Sequence, residues 1–282
     1  MNYRHEYHAG NFADVVKHAV LARVLEYMRR KPQPFRVIDT HAGAGRYDLL
    51  GTEASKTGEW RDGIGRLVAA KLPDDVTALL APYLDAVRAI NEEGALYYYP
   101  GSPLIARGLM RPDDVLVANE LNAEEFARLK GALKGARSTS VLNLDAWNAI
   151  KSLLPPKERR GVVLIDPPFE ERDEFEQLGA AIGQATKRFL GGVYLVWYPL
   201  KDEVAADRFV AQAVATAGLD YIDVRLRICR AFAGLGLTAA GVLVLNPPYV
   251  LGDELNRMMP AVSELLAEGE GSGFRLRGNG VQ

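Results

Sequence analysis

The strongest constraint on this chain is a series of short apolar runs that mostly do not alternate. FRVID (35–39), DVLVANE (114–120), STSVLNLD (138–145), GVVLID (161–166), GGVYLVWYP (191–199), YIDVRLRI (221–228) and AGVLVLN (240–246) are rich in branched and aromatic residues. A strand with one wet face alternates apolar and polar side chains, whereas a strand covered by helices on both faces need not. Helical spacing separates the runs, and strand–helix–strand order requires right-handed crossovers and a doubly wound parallel sheet. The expectation is an α/β fold of seven strands, Rossmann-like in layout.

One interval breaks the rhythm. No convincing strand stands between Arg46 and Arg111, although a single helix would suffice there. PDDVTALLAPYLDAVRAINEEG has helical spacing, acids at its start and a glycine at its end, so residues 48–95 are expected to form a helical insertion. The expected division is an N-terminal covering segment and helix (1–34), a core (35–47 and 96–270), the insertion, and a loose Gly-rich tail (271–282) with room for a short strand.

Composition excludes several classes. With 48 % hydrophobic and 25 % charged residues in 282, the chain can bury a real core. The single cysteine, Cys229, excludes a disulfide framework and fits a reducing cytosol. No apolar stretch approaches the length of a membrane span and the N-terminus has no signal-peptide core, so the expected setting is cytoplasmic, with no membrane and no obligate protein partner. Net charge is −2, yet residues 1–36 carry a local +4 and all four histidines lie in the first 41 residues. A segment of that charge is ordinarily a solvated helix face. His5 and His8 lack a third ligand at useful spacing, so no metal is expected.

The first strand runs into Asp39-Thr-His-Ala-Gly-Ala-Gly45, a glycine loop that lets backbone approach a ligand beside a helix N-terminus. It departs from the dinucleotide fingerprint, since His41 stands where the first glycine would be. Glu120 ends the second strand, where an acid can hold ribose hydroxyls, and Asp145-Ala146 follow the third, placed to meet an adenine ring. Helix capping is the plainer role for Glu120 and Asp145.

Two corners, Asp166-Pro-Pro-Phe169 and Asn246-Pro-Pro-Tyr249, both suit methylation of a planar amino nitrogen. In the methyl-transferring version of this sheet the seventh strand is antiparallel, inserted between the fifth and sixth, and ligands sit beyond the carboxyl ends of the parallel strands. The fourth strand then brings Asp166 to the glycine-loop edge, and the seventh carries Asn246 to the other. A conjugated amino nitrogen is a poor nucleophile. Asp166 and the Pro167 carbonyl can accept its two N–H groups, and Phe169 can stack on the ring. Such a base must be unpaired or flipped out of a helix. Rival readings are a DNA adenine methyltransferase, a glutamine methyltransferase acting through the Asn246 corner, and a catalytically inactive RNA-binding relative.

YRHxxHAGNxADVxKH, DTHAGAGRY, YYPGSPLIAR, DPPF and WYP together resemble the bacterial 23S ribosomal RNA adenine-N6 methyltransferases of the RlmJ type, from Tyr3 to about Pro248. The resemblance implies a class I methyltransferase fold, S-adenosylmethionine as donor with S-adenosylhomocysteine as product, and one adenine of 23S rRNA as substrate. It places Lys17, His18, His41, Ser102, Glu120, Asp145, Ala146 and Asp166 at the cofactor or catalytic site, with Gly43 in the cofactor loop, and Tyr3 and His5 on the RNA. The family usually ends its catalytic motif in Tyr, and here Phe169 keeps the ring without the hydroxyl.

Overall fold

The computed structural model describes residues 4–170, 173–231 and 236–279. A 3-10 turn (His5–Tyr7) precedes α1 (Phe12–Arg29) and β1 (Arg36–Asp39). Next come β2 (Arg46–Asp48), α2 (Thr52–Thr57), a π-type turn (Arg61–Gly65), α3 (Arg66–Ala69), α4 (Asp74–Arg88) and β3 (Tyr98–Pro100). Alternation then takes over, with α5 (Ser102–Leu109), β4 (Val115–Asn119), α6 (Ala123–Ala132), β5 (Thr139–Leu142), α7 (Ala146–Leu153), β6 (Gly161–Ile165), α8 (Glu174–Arg188), β7 (Val193–Pro199), α9 (Glu203–Ala217) and β8 (Tyr221–Arg227). The chain closes with β9 (Ala239–Leu245), α10 (Leu251–Leu265) and β10 (Gly273–Arg277).

The main sheet has eight strands in the order β10-β8-β9-β7-β6-β1-β4-β5. From β7 through β5 all neighbours are parallel, while β9 runs antiparallel between β7 and β8. This is the expected layout, corrected from seven strands to eight, the added one lying in the tail where a short strand had room. β10 comes from the glycine-rich tail and pairs antiparallel with β8 at the sheet edge. A second correction lies in the interval without expected strands: β2 and β3 form a small ladder with Tyr47 opposite Tyr99.

β6 is buried throughout, and its side chains divide the core by parity. Val162 and Leu164 join one layer with α1, α4, α5 and α10, and Val163 and Ile165 join the other with α7, α8 and α9. That two-sided burial is the physical origin of the continuous apolar runs. Among the described residues no helix is long and apolar enough to cross a membrane.

Only part of the local +4 lies on a solvated face: Arg4, Arg29, Arg30 and Lys31 are exposed, while Lys17 and Arg23 are buried. α1 buries 15 of its 18 residues, including Asp14, Lys17, His18 and Arg23. Asn11 caps its N-terminus by accepting the amides of Ala13 and Asp14 at 3.0 and 3.1 Å. Arg23 reaches Glu254 of α10 through Nε and Nη2 at 2.8 and 3.0 Å, a two-pronged pair that compensates both buried charges.

The turn before α1 is fastened to the stretch after α2. Gly10 has φ +78, and its carbonyl accepts the Ile64 amide at 2.8 Å. A Cβ on Gly63 would fall 2.1 Å from that carbonyl oxygen, so the two backbones touch where no side chain fits.

Candidate active site

The carboxyl ends of β1, β4, β5, β6 and β7 open onto one cavity of about 850 Å³. At β1 the chain turns through the glycine loop with Gly43 at φ +58 and Gly45 at φ +77. A Cβ on Gly43 would meet the Tyr47 hydroxyl at 2.1 Å, so this strip of backbone stays bare. Asn119, at the end of β4, ties two loops together. Its Nδ2 donates to the carbonyls of Thr40 (3.0 Å) and Leu144 (2.9 Å), and its Oδ1 accepts the Leu144 amide. Sequence reading notes Asn119 only as a strand end; nothing in a lone amide signals such a double tie.

Glu120 accepts the amides of Gly43 at 2.9 Å and Asn122 at 2.8 Å, so it shapes the loop as well as lining the cavity. Burial raises its carboxyl, against the pull of those amides. Asp145 accepts the Asn148 amide at 3.0 Å and caps α7, whose first residue, Ala146, lines the same wall. His41 Nδ1 shares a 2.8 Å hydrogen bond with Thr40 Oγ1, and its ring meets Trp147 edge-on at 5.7 Å. Burial pulls the His41 imidazole down to about 4, leaving it neutral near pH 7. Trp147 and Leu121, the latter 54 % exposed, add apolar wall that sequence reading does not single out. A lone apolar residue after a strand carries no mark of what it faces.

Ser102 Oγ donates to Asp39 Oδ2 at 2.6 Å. Asp39 is 1 % exposed and its Oδ1 has no partner among the described residues. Burial, with Asp166 nearby, pushes its carboxyl up to about 7.

At β6, Asp166 faces Lys17 of α1, with Oδ2 2.6 Å from Nζ. The same ammonium lies 2.7 Å from Asp14, which also accepts the Gly10 amide and shares a 2.9 Å hydrogen bond with His5 Nε2. Lys17 is 4 % exposed; against the cost of burial, the carboxylates of Asp14 and Asp166 raise its ammonium above the ordinary lysine range, and, also against burial, His5 and Lys17 hold Asp14 well below the ordinary aspartate range. Asp14 stands three residues before Lys17 in the same opening motif, but is not among the residues assigned there to the cofactor or catalytic site. Phe169 turns the chain at φ +53 and meets Phe175 and Trp197 edge-on at 5.0 and 5.8 Å.

The cavity thus brings together Lys17, His18, His41, Gly43, Ser102 and Glu120 with Asp145, Ala146, Asp166, Pro167, Phe169 and His5. His5 packs edge-on against Tyr47 at 5.1 Å, and His8 pairs with Glu59 at 2.9 Å. Tyr3 lies outside the described residues. The second corner is elsewhere. Leu245 pairs with Tyr194 near the start of β7, and Asn246 Nδ2 donates to the Gly192 carbonyl at 3.0 Å. It therefore sits at the amino ends of the parallel strands, across the sheet from the cavity.

Residues 32–276 match the family described as ribosomal RNA large subunit methyltransferase D, RlmJ. The chain is 38 % identical to ribosomal RNA large subunit methyltransferase J of Escherichia coli (strain K12), over 96 % of each protein. It is likewise 38 % identical to the Haemophilus influenzae protein of that name, with the same coverage. A crystal structure of a protein from Legionella pneumophila str. Philadelphia 1 superposes with a TM-score of 0.87 at 31 % identity, covering 96 % of this chain and 98 % of that one. A class I methyltransferase sheet, a glycine loop and an Asp-Pro-Pro corner on one edge, and relatives matched from end to end place this chain in the ribosomal RNA large subunit methyltransferase RlmJ family.

Proposed function

We propose that the protein transfers a methyl group from S-adenosylmethionine to the exocyclic N6 of one adenine in 23S ribosomal RNA. The observation that carries this reading is the Lys17–Asp166 pair at the end of β6, inside the cavity that the glycine loop also lines. Cofactor fit rests on three features: bare backbone at Gly43, a partnerless buried His18 Nε2, and a cavity large enough for a nucleoside-bearing cofactor beside a base. Glu120, Asp145 and Ala146 would line the nucleoside end, and His18, His41 and Ser102 the amino-acid end.

When bound, S-adenosylmethionine supplies an electrophilic methyl group and leaves as S-adenosylhomocysteine. The chain's own residues prepare the nitrogen. Asp166 accepts one N–H of the adenine amino group and the Pro167 carbonyl the other, drawing electron density back toward nitrogen. Phe169 offers a ring for the base to pack on, a contact worth roughly 1–3 kcal/mol. Lys17 fixes Asp166 in place, so the carboxylate is oriented before the base arrives. As the N–CH3 bond forms, the surplus proton passes to Asp166 and on to solvent. His5, held by Asp14 beside Tyr47, stands at the wall where the extruded nucleotide would enter. Tyr3 is assigned to the same RNA contact by family resemblance.

The test supplies labelled S-adenosylmethionine with unmodified 23S rRNA, duplex DNA or a glutamine-bearing protein extract, then digests the products to nucleosides and amino acids. Label confined to N6-methyladenosine from the rRNA is the expected result. Label in DNA or protein would overturn the substrate assignment. Asp166→Ala is expected to lose at least about 10²-fold in turnover while its melting curve stays cooperative, and normal turnover would move the chemistry away from this corner.

A further inference from the structure

His18 lines the cavity, yet its hydrogen-bond and ring partners, Tyr99 and Tyr83, lie between Arg46 and Pro100. Its Nδ1 lies 2.6 Å from the hydroxyl of Tyr99, at β3, and that hydroxyl lies 2.8 Å from the hydroxyl of Tyr83, on α4. Both tyrosines are 0 % exposed and His18 is 1 % exposed. The rings pack closely, with the His18 centroid 5.6 Å from Tyr99 and 6.2 Å from Tyr83. Among the described residues Tyr83 Oη has no partner other than Tyr99, and His18 Nε2 has none at all.

Counting hydrogens decides the direction of this chain. Each hydroxyl has one proton to give, and a neutral imidazole has one N–H. If His18 held its proton on Nδ1, it would donate to Tyr99, Tyr99 would donate to Tyr83, and the Tyr83 proton would be buried without an acceptor. In the opposite sense Tyr83 donates to Tyr99, Tyr99 donates to Nδ1, and no hydroxyl proton is stranded. The imidazole proton then sits on Nε2, leaving one N–H for a ligand.

We infer that Tyr83 and Tyr99 are positioning residues that lock His18 as the Nε2–H tautomer, a neutral donor to the carboxylate of the bound cofactor. The cavity is rich in acids, with Glu120, Asp145 and Asp166 on its walls, and the ammonium of Lys17 is already shared by Asp14 and Asp166. A ligand carboxylate entering such a site needs a donor no acid has claimed, and His18 supplies it. Burial also keeps this imidazole well below its ordinary range, consistent with a fixed neutral ring. Tyr83 of the helical insertion, acting through Tyr99 of β3, thereby helps hold the proton of a cofactor-facing histidine, although neither tyrosine lines the cavity.

The inference rests on the cofactor reading above, and its test separates the two. In cofactor-free protein labelled with 15N-histidine, the ring-nitrogen shifts of His18, assigned against a His18→Gln variant, should show a protonated Nε2 and a bare, hydrogen-bonded Nδ1. A proton on Nδ1 overturns the lock. Calorimetry with S-adenosylhomocysteine should give Kd about tenfold weaker for Tyr99→Phe, the size of one lost hydrogen bond, with kcat at saturating donor nearly unchanged. Tyr83→Phe should weaken binding by a smaller factor, and the double variant should bind no worse than Tyr99→Phe alone, because Tyr83 acts only through Tyr99. Wild-type affinity in Tyr99→Phe, or full additivity in the double variant, would overturn the inference. Should Tyr99→Phe fail to fold, the wild-type spectrum and Tyr83→Phe decide. A wild-type protein with Nε2–H that does not bind S-adenosylhomocysteine would overturn the cofactor reading and spare the lock.

Discussion

Lys17 is an ammonium buried between two carboxylates, and its removal is felt twice. Lys17→Met leaves Asp14 and Asp166 facing each other without a cation, which should cost about 3–5 kcal/mol of stability and most of the turnover. A denaturation midpoint and a rate measured on one sample check both. From sequence alone, Lys17→Ala is expected to harm turnover or RNA binding more than stability; burial puts stability at stake as well. Asp39 makes the opposite case. Its folded carboxyl, pushed up to about 7 by burial, holds a proton that the unfolded chain releases near 3.8. Between those values the native state binds more protons, so its contribution to stability is lost as pH rises toward 7. In cofactor-free protein Asp39→Asn should be relatively more stable than wild type at pH 8 than at pH 4, and equal differences at both pH values would refute the assignment. Residue types at the site were readable because acid, histidine and lysine stand in dense motifs. What those motifs could not carry is contact: the Lys17–Asp166 pair spans 149 positions, and nothing local announces it.

At the scale of elements, two near-identical corners end in opposite places because β9 alone runs against its neighbour β7. Asn246 adopts φ +53, a left-handed conformation that asparagine tolerates and alanine resists. Asn246→Ala should therefore lose about 1–3 kcal/mol from the strain and the missing bond to Gly192, with turnover within about threefold of wild type, and Asn246→Gly should recover the strain portion. A hundredfold loss of rate at unchanged stability would show that the far corner takes part in chemistry. Long buried strands were legible because two-sided burial writes itself as unbroken apolar runs. β2 and β3, each of three residues, are too short to show a period, and β10, flanked by glycines with its side chains largely outward, offers little apolar signal.

The whole molecule carries a pH signature set by its neutral histidines. The folded imidazoles of His41 (down to about 4) and His18 (well below the ordinary range) resist protonation, while in the unfolded chain each accepts a proton near 6.5. The contribution of these two rings is thus fully present above pH 6.5 and declines as pH falls toward 4, where at these sites the unfolded chain binds more protons than the fold, opposite in sign to Asp39. As pH falls across that window, His41→Gln should lose less melting temperature than wild type, and equal slopes would count against the neutral ring. The close contact of Gly10 with Gly63 bears on how such a molecule can change over generations. The insertion resembles a cassette in its position along the chain, but the opening segment rests against it, backbone on backbone, at a point where neither partner can gain even a methyl group. Exchanging the insertion between homologues while keeping the original first ten residues would pair two surfaces shaped by different histories. Chimeras that exchange both segments together should fold, and those that exchange one should not, so lineages are expected to inherit the two as a matched set.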